Sequence, residues 1–187
     1  MTKGRRIHVL GASGSGTSTL ARALASRIAT QAFDTDDFYW RPSDPPFQSK
    51  RPVRDRIELM NDVFVPRRDW ILSGSFVGWG DVLIPRLTHV VFLDMPAGMR
   101  LARLRARERR RYGAEIEPGG PREAAFASFL DWAMQYEDPT FTGRTRRVHE
   151  AWLSRLPCPV IRVDATQTVD QMVTQVLAEL DQPAPEA

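Results

Sequence analysis

Residues 7–19 read Ile-His-Val-Leu-Gly-Ala-Ser-Gly-Ser-Gly-Thr-Ser-Thr. The first four residues are typical of a short buried strand, and the good helix formers that follow the stretch predict a helix. The loop between them matches the pattern Gly-x-x-x-x-Gly-Lys-(Ser/Thr) at Gly11, Gly16 and Ser18. Thr17 stands where that pattern has lysine. A strand, a glycine-rich loop and a helix in this order predict a phosphate-binding loop that lacks its usual cation.

A loop of this composition can hold phosphate even without the lysine. Consecutive backbone N–H groups can point into one concavity, and the first turn of the helix adds partial positive charge. Glycines allow positive φ angles and a close approach of phosphate oxygens to the backbone. The alternative is a strand–helix connection, rich in glycine and serine, that binds nothing. The residues that we expect to line the phosphate site are Gly11, Ala12, Ser13, Gly14, Ser15, Gly16, Thr17, Ser18 and Thr19.

Length and composition bound the remaining possibilities. A chain of 187 residues is long enough for one domain with a substantial core. Its single cysteine, Cys158, excludes an internal disulfide framework, so we expect a cytoplasmic protein. No apolar run has the length of a membrane span, and the first residues do not resemble a signal peptide, so we expect no association with a membrane.

The cationic residues are almost all arginine. Of the 26 basic residues, only two are lysines, Lys3 and Lys50. We expect Lys3, which precedes the first strand, to lie at the opposite end of the sheet from the loop. Lys50 or an arginine must therefore supply any cation that replaces the missing loop lysine.

The rest of the chain alternates between short apolar stretches and amphipathic ones. Because the predicted strands are continuously apolar, both faces of their sheet are expected to be covered by helices. This pattern predicts a parallel α/β sandwich that binds ligands at the carboxyl edge of the strands. The strands are predicted near residues 6–10, 31–34, 69–73, 88–93 and 159–163.

Several helices are predicted with an apolar face that packs against the core. One such face consists of Val53, Ile57, Met60 and Phe64. Another consists of Phe126, Phe129, Leu130, Ala133 and Met134. The last helix has the clearest stripe, formed by Val169, Met172, Val173, Val176, Leu177 and Leu180.

An acidic cluster follows the second predicted strand. Asp34, Asp36 and Asp37 repel one another unless a cation or a proton intervenes. At the carboxyl edge of the sheet they would face the phosphate loop, where carboxylates can orient a Mg²⁺ shell or accept a proton from an attacking hydroxyl. The alternative is a solvated acidic turn.

Arginines form two further groups. Arg100, Arg103, Arg107 and Arg110 fall on one face of a predicted helix, and a second group follows Gly143. Arginine can grip phosphate oxygens with two nitrogens and can stack on a base, although any single arginine can simply be solvated. A basic helix can also bind nucleic acid, but no aromatic RNA-binding signature or helix-turn-helix pattern accompanies this one, so we do not expect nucleic acid as the partner. The members of the second group are Arg144, Arg146 and Arg147.

The order of these motifs resembles the P-loop kinases of small molecules and nucleoside monophosphates, such as adenylate, cytidylate, shikimate and gluconate kinases. In those enzymes a Leu-Asp-x-Pro strand end leads into a helix with Arg-Leu-x-x-Arg at the base of a mobile lid, as residues 93–96 and 103–107 do here. The resemblance implies a P-loop NTPase fold: a three-layer α/β/α sandwich with a five-stranded parallel sheet and a helical lid. It implies a single domain over residues 1–182 with the lid inserted at about 108–143, and we expect residues 183–187 to form a frayed tail.

The acidic cluster is similar to two groups of these kinases. Asp34-Thr35-Asp36 is similar to the Asp-x-Asp of shikimate kinases, and residues 35–39 are similar to the strand end of uridine and nicotinamide riboside kinases. Both alignments imply that Asp36 contacts the acceptor hydroxyl. The Gly-Thr-Ser form of the loop looks like that of archaeal-type cytidylate kinases, so Thr17 does not by itself predict a dead enzyme. The absence of the Asp-Gly-Phe-Pro-Arg of adenylate kinases counts against AMP as the acceptor.

The resemblance implies an ATP-dependent phosphotransferase that uses ATP and Mg²⁺ and acts on a small molecule, nucleoside or nucleotide. The alternative is an ATP-binding switch or slow ATPase without an acceptor, and either a monomer or a homodimer is compatible with the sequence. The expected catalytic residues are Asp36, Arg107, Arg144 and Arg147, with Arg103 and Arg107 also contacting the nucleotide. The expected acceptor-side residues are Asp36, Asp37, Tyr39, Ser75 and Trp79. Ser18 and Asp34 are expected to hold the metal, Asp34 from its second shell.

Overall fold

In the computed structural model, which describes residues 4–180, five parallel strands form one sheet. All five predicted strands are confirmed, each displaced by no more than a single residue. The strands are β1 (Arg6–Gly11), β2 (Ala32–Asp34), β3 (Trp70–Ser73), β4 (His89–Asp94) and β5 (Val160–Asp164). Lys3 and the predicted tail at residues 183–187 lie outside the described residues.

The strand order is β2-β3-β1-β4-β5, so β1 is central and its neighbours in space lie on opposite sides. In register, Val9 pairs with Ser73 of β3 and with Val91 of β4. From β1 the chain continues to β2 and β3 on one side of β1, and then to β4 and β5 on its other side. This change of side opens a crevice at the carboxyl end of β1. The predicted phosphate loop follows β1 directly and therefore occupies this crevice.

Helices cover both faces of the sheet and form the three layers that the resemblance implies. They are α1 (Thr17–Arg27), α2 (Thr35–Tyr39), α3 (Val53–Val63), α4 (Ala97–Tyr112), α5 (Glu123–Met134), α6 (Arg146–Leu153) and α7 (Val169–Leu180). On one face, Leu24 and Val173 belong to a buried cluster contributed by α1 and α7. On the other, Phe64 and Trp152 belong to an aromatic-rich cluster next to α3 and α6.

The segment predicted to form the lid contains α5, which packs on α4 rather than on the sheet. Leu104, Leu130 and Ala133 form a small apolar cluster of their own. The predicted place of Met134 in this packing face is wrong: its residue is 46% exposed, because α5 ends there and a 3₁₀ turn (Gln135–Glu137) follows.

The packing face of α3 also differs from the prediction. Val53 is 48% exposed because it is the first residue of the helix, at the mouth of the preceding loop. Met60 is buried as predicted, and one turn earlier Arg56 is buried beside it at 6% exposure. The face thus contains a cation where an apolar contact was expected. The helices within residues 4–180 fall short of the length and apolar content that a bilayer crossing needs.

Candidate functional site

The phosphate loop runs from the end of β1 to the first residue of α1. Gly14 and Gly16 have φ angles of +86° and +97°, a region that side chains other than glycine rarely adopt. The Ser15 amide donates to the Ala12 carbonyl at 3.1 Å and closes a tight turn inside the loop. A Cβ atom added to Gly14 would lie 2.7 Å from the carbonyl oxygen of Arg100. Glycine is therefore required at position 14 both by its backbone angle and by the close approach of α4.

The donors in this loop fit a phosphate group. The first N–H groups of a helix have no acceptor within it, and α1 begins directly after the loop, so these donors are available to a phosphate there. The hydroxyl of Ser15 is fully buried and has no hydrogen-bond partner, so a polar group remains to be satisfied inside the cradle. Gly11 makes room for it, since a Cβ atom there would lie 2.5 Å from Ser15 Oγ. The residues expected to bind a nucleotide phosphate thus form one concave, hydrogen-bonding surface.

A carboxylate at the end of β2 is held next to this loop by three donors. The Ser18 hydroxyl donates to Asp34 Oδ2 at 2.5 Å, and the Ser73 hydroxyl donates to the same oxygen at 2.9 Å. The Asp36 amide donates to Asp34 Oδ1 at 3.1 Å, so Asp34 is also the N-cap of α2. This arrangement leaves lone pairs of Ser18 Oγ available to a divalent cation, with Asp34 fixing the hydroxyl from behind.

Asp36 lies in the first turn of α2, at the edge of the same cleft. Although solvent still reaches the side chain, the cleft walls strip enough water from the carboxylate to raise its pKa, and the neighbouring Asp34 raises it further. The positive charge of Arg144 opposes this shift. Burial and Asp34 also raise the pKa of Asp37, which Arg22 opposes. The acidic cluster therefore contains one held carboxylate, Asp34, and two that resist ionisation.

Arg144 reaches the phosphate loop from the far end of the predicted lid. Its Nη2 donates to the Ser13 hydroxyl at 2.6 Å, and its guanidinium carbon lies 4.7 Å from the centre of the Trp132 ring. Burial lowers the pKa of Arg144, while Asp36 opposes that shift. An arginine with a lowered pKa remains cationic at neutral pH. A fixed positive charge therefore lies on the lysine-less loop and within electrostatic reach of Asp36.

The other predicted arginines are distributed differently. Arg103 lies near the loop, with Nη1 3.7 Å from the position that a Cβ atom on Gly16 would take. Arg107 instead pairs with Glu108, Nη2 to Oε1 at 2.7 Å, and so is directed along α4. Arg147 is exposed on α6. The structure brings Arg144 and Arg103 to the loop and does not bring Arg107 or Arg147 there.

The predicted arginine stripe on α4 is broken at its first member. Arg100 is 1% exposed and pairs with Glu137 at 3.1 Å, so it is part of the interior while the later arginines face solvent. Its Nη1 also points to the Ser13 carbonyl at 3.4 Å. Spacing along a helix does not distinguish an arginine under the loop from one in solvent, which is why the stripe was predicted as one face. Arg146 likewise has a structural role, pairing with Asp94 at 2.6 Å.

On the acceptor side, the aromatic residues surround a cation that the sequence analysis missed. The guanidinium carbon of Arg56 lies 3.7 Å from the centre of the Tyr39 ring and 5.0 Å from that of Trp79. Its Nε donates to the Arg51 carbonyl at 2.8 Å. Within residues 4–180, Arg56 has no carboxylate partner; the nearby Asp55 pairs with Arg41 instead. The sequence did contain one indication: Arg56 precedes the apolar residues Met60 and Phe64 by one and two turns, on the same face of α3.

Lys50, the other candidate cation, lies on the acceptor side and not at the phosphate loop. Its Nζ is 5.8 Å from the centres of both the Tyr39 and the Trp40 rings. Lys50 and Trp40 also pair across an isolated antiparallel bridge, which anchors the proline-rich loop between them. Lys50 therefore does not occupy the place of the missing lysine.

Ser75, a predicted acceptor-side residue, contacts a buried histidine that was also missed. Its Oγ lies 3.3 Å from Nε2 of His149, and Nδ1 of His149 lies 2.9 Å from the Tyr136 hydroxyl. Burial, with the charge of Arg144 next, lowers the pKa of His149 to about 3. Trp79, also a predicted acceptor-side residue, donates from Nε1 to the Ser75 carbonyl at 3.2 Å. No sequence pattern joins Ser75, Tyr136 and His149, because they come from three separate segments.

Several solved structures with a similar fold are, by their descriptions, kinases of small molecules. A gluconokinase from Sinorhizobium meliloti 1021 matches with a TM-score of 0.55 and 18% identity, over 96% of this chain and 93% of that one. A shikimate kinase from Bacteroides thetaiotaomicron matches with 0.53 and 17%, over 95% and 99% of the two chains. A shikimate kinase from Aquifex aeolicus matches with 0.52 and 18%, over 94% and 96%. At these identities the likeness shows the fold, which is that of the P-loop kinases.

The sequence comparisons add a much nearer relative. No family model matches the chain. The uncharacterized protein YqaC of Bacillus subtilis strain 168 is 41% identical over 173 residues, which is 92% of this chain and 96% of YqaC. The identity extends over almost the whole of both chains, so the protein belongs to the same family as YqaC and has the P-loop kinase fold.

Proposed function

We propose that the protein is an ATP-dependent kinase that phosphorylates a small-molecule acceptor. The observation that carries the proposal is the position of Arg144, which donates to Ser13 of the phosphate loop and lies within electrostatic reach of Asp36. A phosphate-binding loop, a cation and a carboxylate of raised pKa in one cleft are the parts that phosphoryl transfer needs.

On the nucleotide side, backbone N–H groups of residues 12–18 hold the β-phosphate. Ser18 Oγ is the protein ligand of the metal, and Asp34 keeps that hydroxyl oriented through the 2.5 Å hydrogen bond. Bound Mg·ATP supplies the activated phosphoryl group and part of the charge neutralisation. Arg144 and Arg103 supply the positive charge that Thr17 cannot.

On the acceptor side, Asp36 orients the acceptor hydroxyl and takes its proton. Because its pKa is raised, the ionised carboxylate is a better base than an ordinary aspartate. The positive charge of Arg144 limits this rise in the pKa of Asp36. Asp37 interacts electrostatically with Asp34 and Arg22, and we assign it to the local charge balance of α2.

The acceptor itself carries an anionic group. A buried guanidinium without a carboxylate partner is costly, and two aromatic rings offset only part of that cost. Arg56 is in that situation, buried against the rings of Tyr39 and Trp79 at the acceptor end of the cleft. A carboxylate or a phosphate on the acceptor completes its coordination, with the rings lining the acceptor's apolar edge.

The test is a coupled assay of ADP release with Mg·ATP against panels of hydroxy acids, sugar acids, sugar phosphates, nucleosides and nucleoside monophosphates. We expect ADP only with acceptors that carry both a hydroxyl and an anionic group. The Asp36→Asn variant should abolish transfer and keep ATP affinity, while Asp37→Asn, its matched control, should stay within a few-fold of wild type. Tight ATP binding with no turnover in any panel would favour the ATP-binding switch instead.

A further inference from the structure

A chain of three polar side chains lies behind the acceptor side of the cleft. Ser75 Oγ is 3.3 Å from His149 Nε2, and His149 Nδ1 is 2.9 Å from the Tyr136 hydroxyl. His149 and Tyr136 are both buried. Ser75 follows Gly74 at the carboxyl end of β3, His149 lies on α6, and Tyr136 lies in the 3₁₀ turn after α5. The chain thus joins the acceptor side to the segment at the end of the lid.

The donor and the acceptor of each hydrogen bond can be assigned from the protonation states of His149 and Tyr136. Burial keeps His149 neutral, so one ring nitrogen carries a proton and the other accepts. Burial also raises the pKa of the Tyr136 phenol, which therefore keeps its proton. A buried phenol O–H left without an acceptor is costly, and His149 Nδ1 is the partner at hand. Tyr136 then donates to Nδ1, and the histidine proton lies on Nε2, directed at Ser75 Oγ.

The surroundings of His149 also keep its ring neutral. Arg144 and Arg146 both disfavour its protonation, as does His8. The guanidinium carbon of Arg100 lies 5.0 Å from the centre of the Tyr136 ring and holds that ring in place. A protonated imidazolium would place a donor on both nitrogens and leave the Tyr136 hydroxyl to turn away.

We propose that Tyr136 and His149 act as positioning residues that make Ser75 a hydrogen-bond donor toward the acceptor. Since Ser75 Oγ accepts from Nε2–H, its own proton is free to turn into the cleft. The side chain then selects an acceptor that presents an oxygen lone pair at that point, such as a carboxylate, phosphate or carbonyl oxygen, over one that presents an N–H or ammonium group. The contact of Ser75 with the acceptor rests on the proposed function, while the direction of the hydrogen bonds does not.

The direction is tested without turnover by long-range ¹H–¹⁵N NMR of the histidine rings. The His149 signals are assigned by their loss in His149→Gln. At pH 7 we expect the neutral Nε2–H form, and no titration of this ring between pH 8 and pH 5. A neutral Nδ1–H form, or a protonated ring at pH 6, would overturn the proposal even if the protein is a kinase.

The positioning role is tested by a double-mutant cycle on Tyr136→Phe and Ser75→Ala, with the acceptor that the assay finds to turn over fastest. Loss of one hydrogen bond predicts an acceptor KM raised about 3- to 10-fold in each single variant, with the KM for ATP unchanged. Because Tyr136 acts through Ser75, the double variant should match Ser75→Ala alone. Tyr112→Phe, a lid-side control outside the chain, should change neither constant.

Independent, additive effects of the two substitutions would overturn the positioning role and leave Tyr136 as a packing residue. An unchanged acceptor KM in Ser75→Ala would show that Ser75 does not face the acceptor. If no panel yields an acceptor, the proposed function fails, and the NMR result alone then decides the hydrogen-bond direction.

Discussion

Acidification should destabilise the fold through two buried histidines. His8 and His149 both have a pKa of about 3 in the folded protein, against about 6.5 in an unfolded chain. His8 is fully buried, stacks on Phe76 with the ring centres 4.1 Å apart, and has no partner for Nε2. Below pH 6.5 the unfolded chain takes up protons that the folded chain refuses. The free energy of unfolding is therefore lost as the pH falls from 6.5 toward 3.

The size of the loss follows from the shift. Each histidine costs about 1.4 kcal/mol per pH unit below 6.5, so at pH 5 each removes about 2 kcal/mol and the pair about 4 kcal/mol. Domains of this kind have roughly 5–15 kcal/mol in total, so a large share of the stability is at stake. Asp36 and Asp37 act in the opposite sense, because their raised pKa values favour proton uptake by the folded chain. The comparison between variants cancels that contribution.

The measurement is urea unfolding followed by circular dichroism at pH 7.5, 6.5, 5.5 and 5.0. His8→Phe keeps an aromatic ring against Phe76 and removes one of the two titrations, so between pH 6.5 and pH 5 it should lose about 2 kcal/mol less unfolding free energy than the wild type. The quantity compared is the slope of the unfolding free energy against pH, not the absolute stability of the variant. A slope of unfolding free energy against pH that is equal in His8→Phe and in the wild type would refute the reasoning.

The remaining predictions concern the site. Arg144→Ala should lower kcat about 10³-fold or more in the coupled assay while Arg107→Ala stays within a few-fold, because Arg144 donates to Ser13 of the phosphate loop whereas Arg107 pairs with Glu108. If Thr17→Lys instead raised turnover by orders of magnitude and Arg144→Ala had no effect, the arginine would not be replacing the lysine. Gly14→Ala should abolish ATP binding in calorimetry, since its Cβ atom would lie 2.7 Å from the Arg100 carbonyl; wild-type affinity would contradict this. Arg56→Met should raise the acceptor KM about 10-fold or more at constant KM for ATP, and an unchanged acceptor KM would exclude the anionic group.

The fold could be predicted because the sequence patterns that indicate it each lie within a short segment of the chain. Residues 7–19 contain a strand, a glycine-rich loop and a helix start, and each needs only its own neighbours to be identified. The continuously apolar β4 (His89–Asp94) likewise predicts coverage on both faces wherever it lies in the sheet. The chain could therefore be assigned to a parallel three-layer architecture before any contact was known.

The site was predictable only in part, because its remaining members depend on contacts across the chain. Arg100 and Arg103 belong to one helix and one spacing, yet the first lies under the phosphate loop and the second faces solvent beside it. The sequence does not distinguish Arg56 from a surface arginine, whereas the structure shows the rings of Tyr39 and Trp79 beside it. Long-range packing, not propensity, decides which cations are buried.

The same limit applies to the histidine. His149 is one of three histidines, and nothing near it in the sequence marks it as functional. Its partners Ser75 and Tyr136 are 74 and 13 residues away, so the hydrogen-bonded chain exists only after α5 and α6 have folded onto the sheet. An apparently ordinary position thus acquires a directional role from tertiary structure alone.

The contact between Arg144 and Trp132 should make the fluorescence of Trp132 sensitive to the position of Arg144. The guanidinium lies 4.7 Å from the indole centre, and a charge at that distance shifts the emission of the ring. Because Arg144 already donates to Ser13 of the loop, a phosphate bound beside it would change the field on this indole. Trp70 and Trp152 are buried in the core and supply a constant background. Under the proposed function, we expect nucleotide binding to change the fluorescence of the unlabelled protein through Trp132.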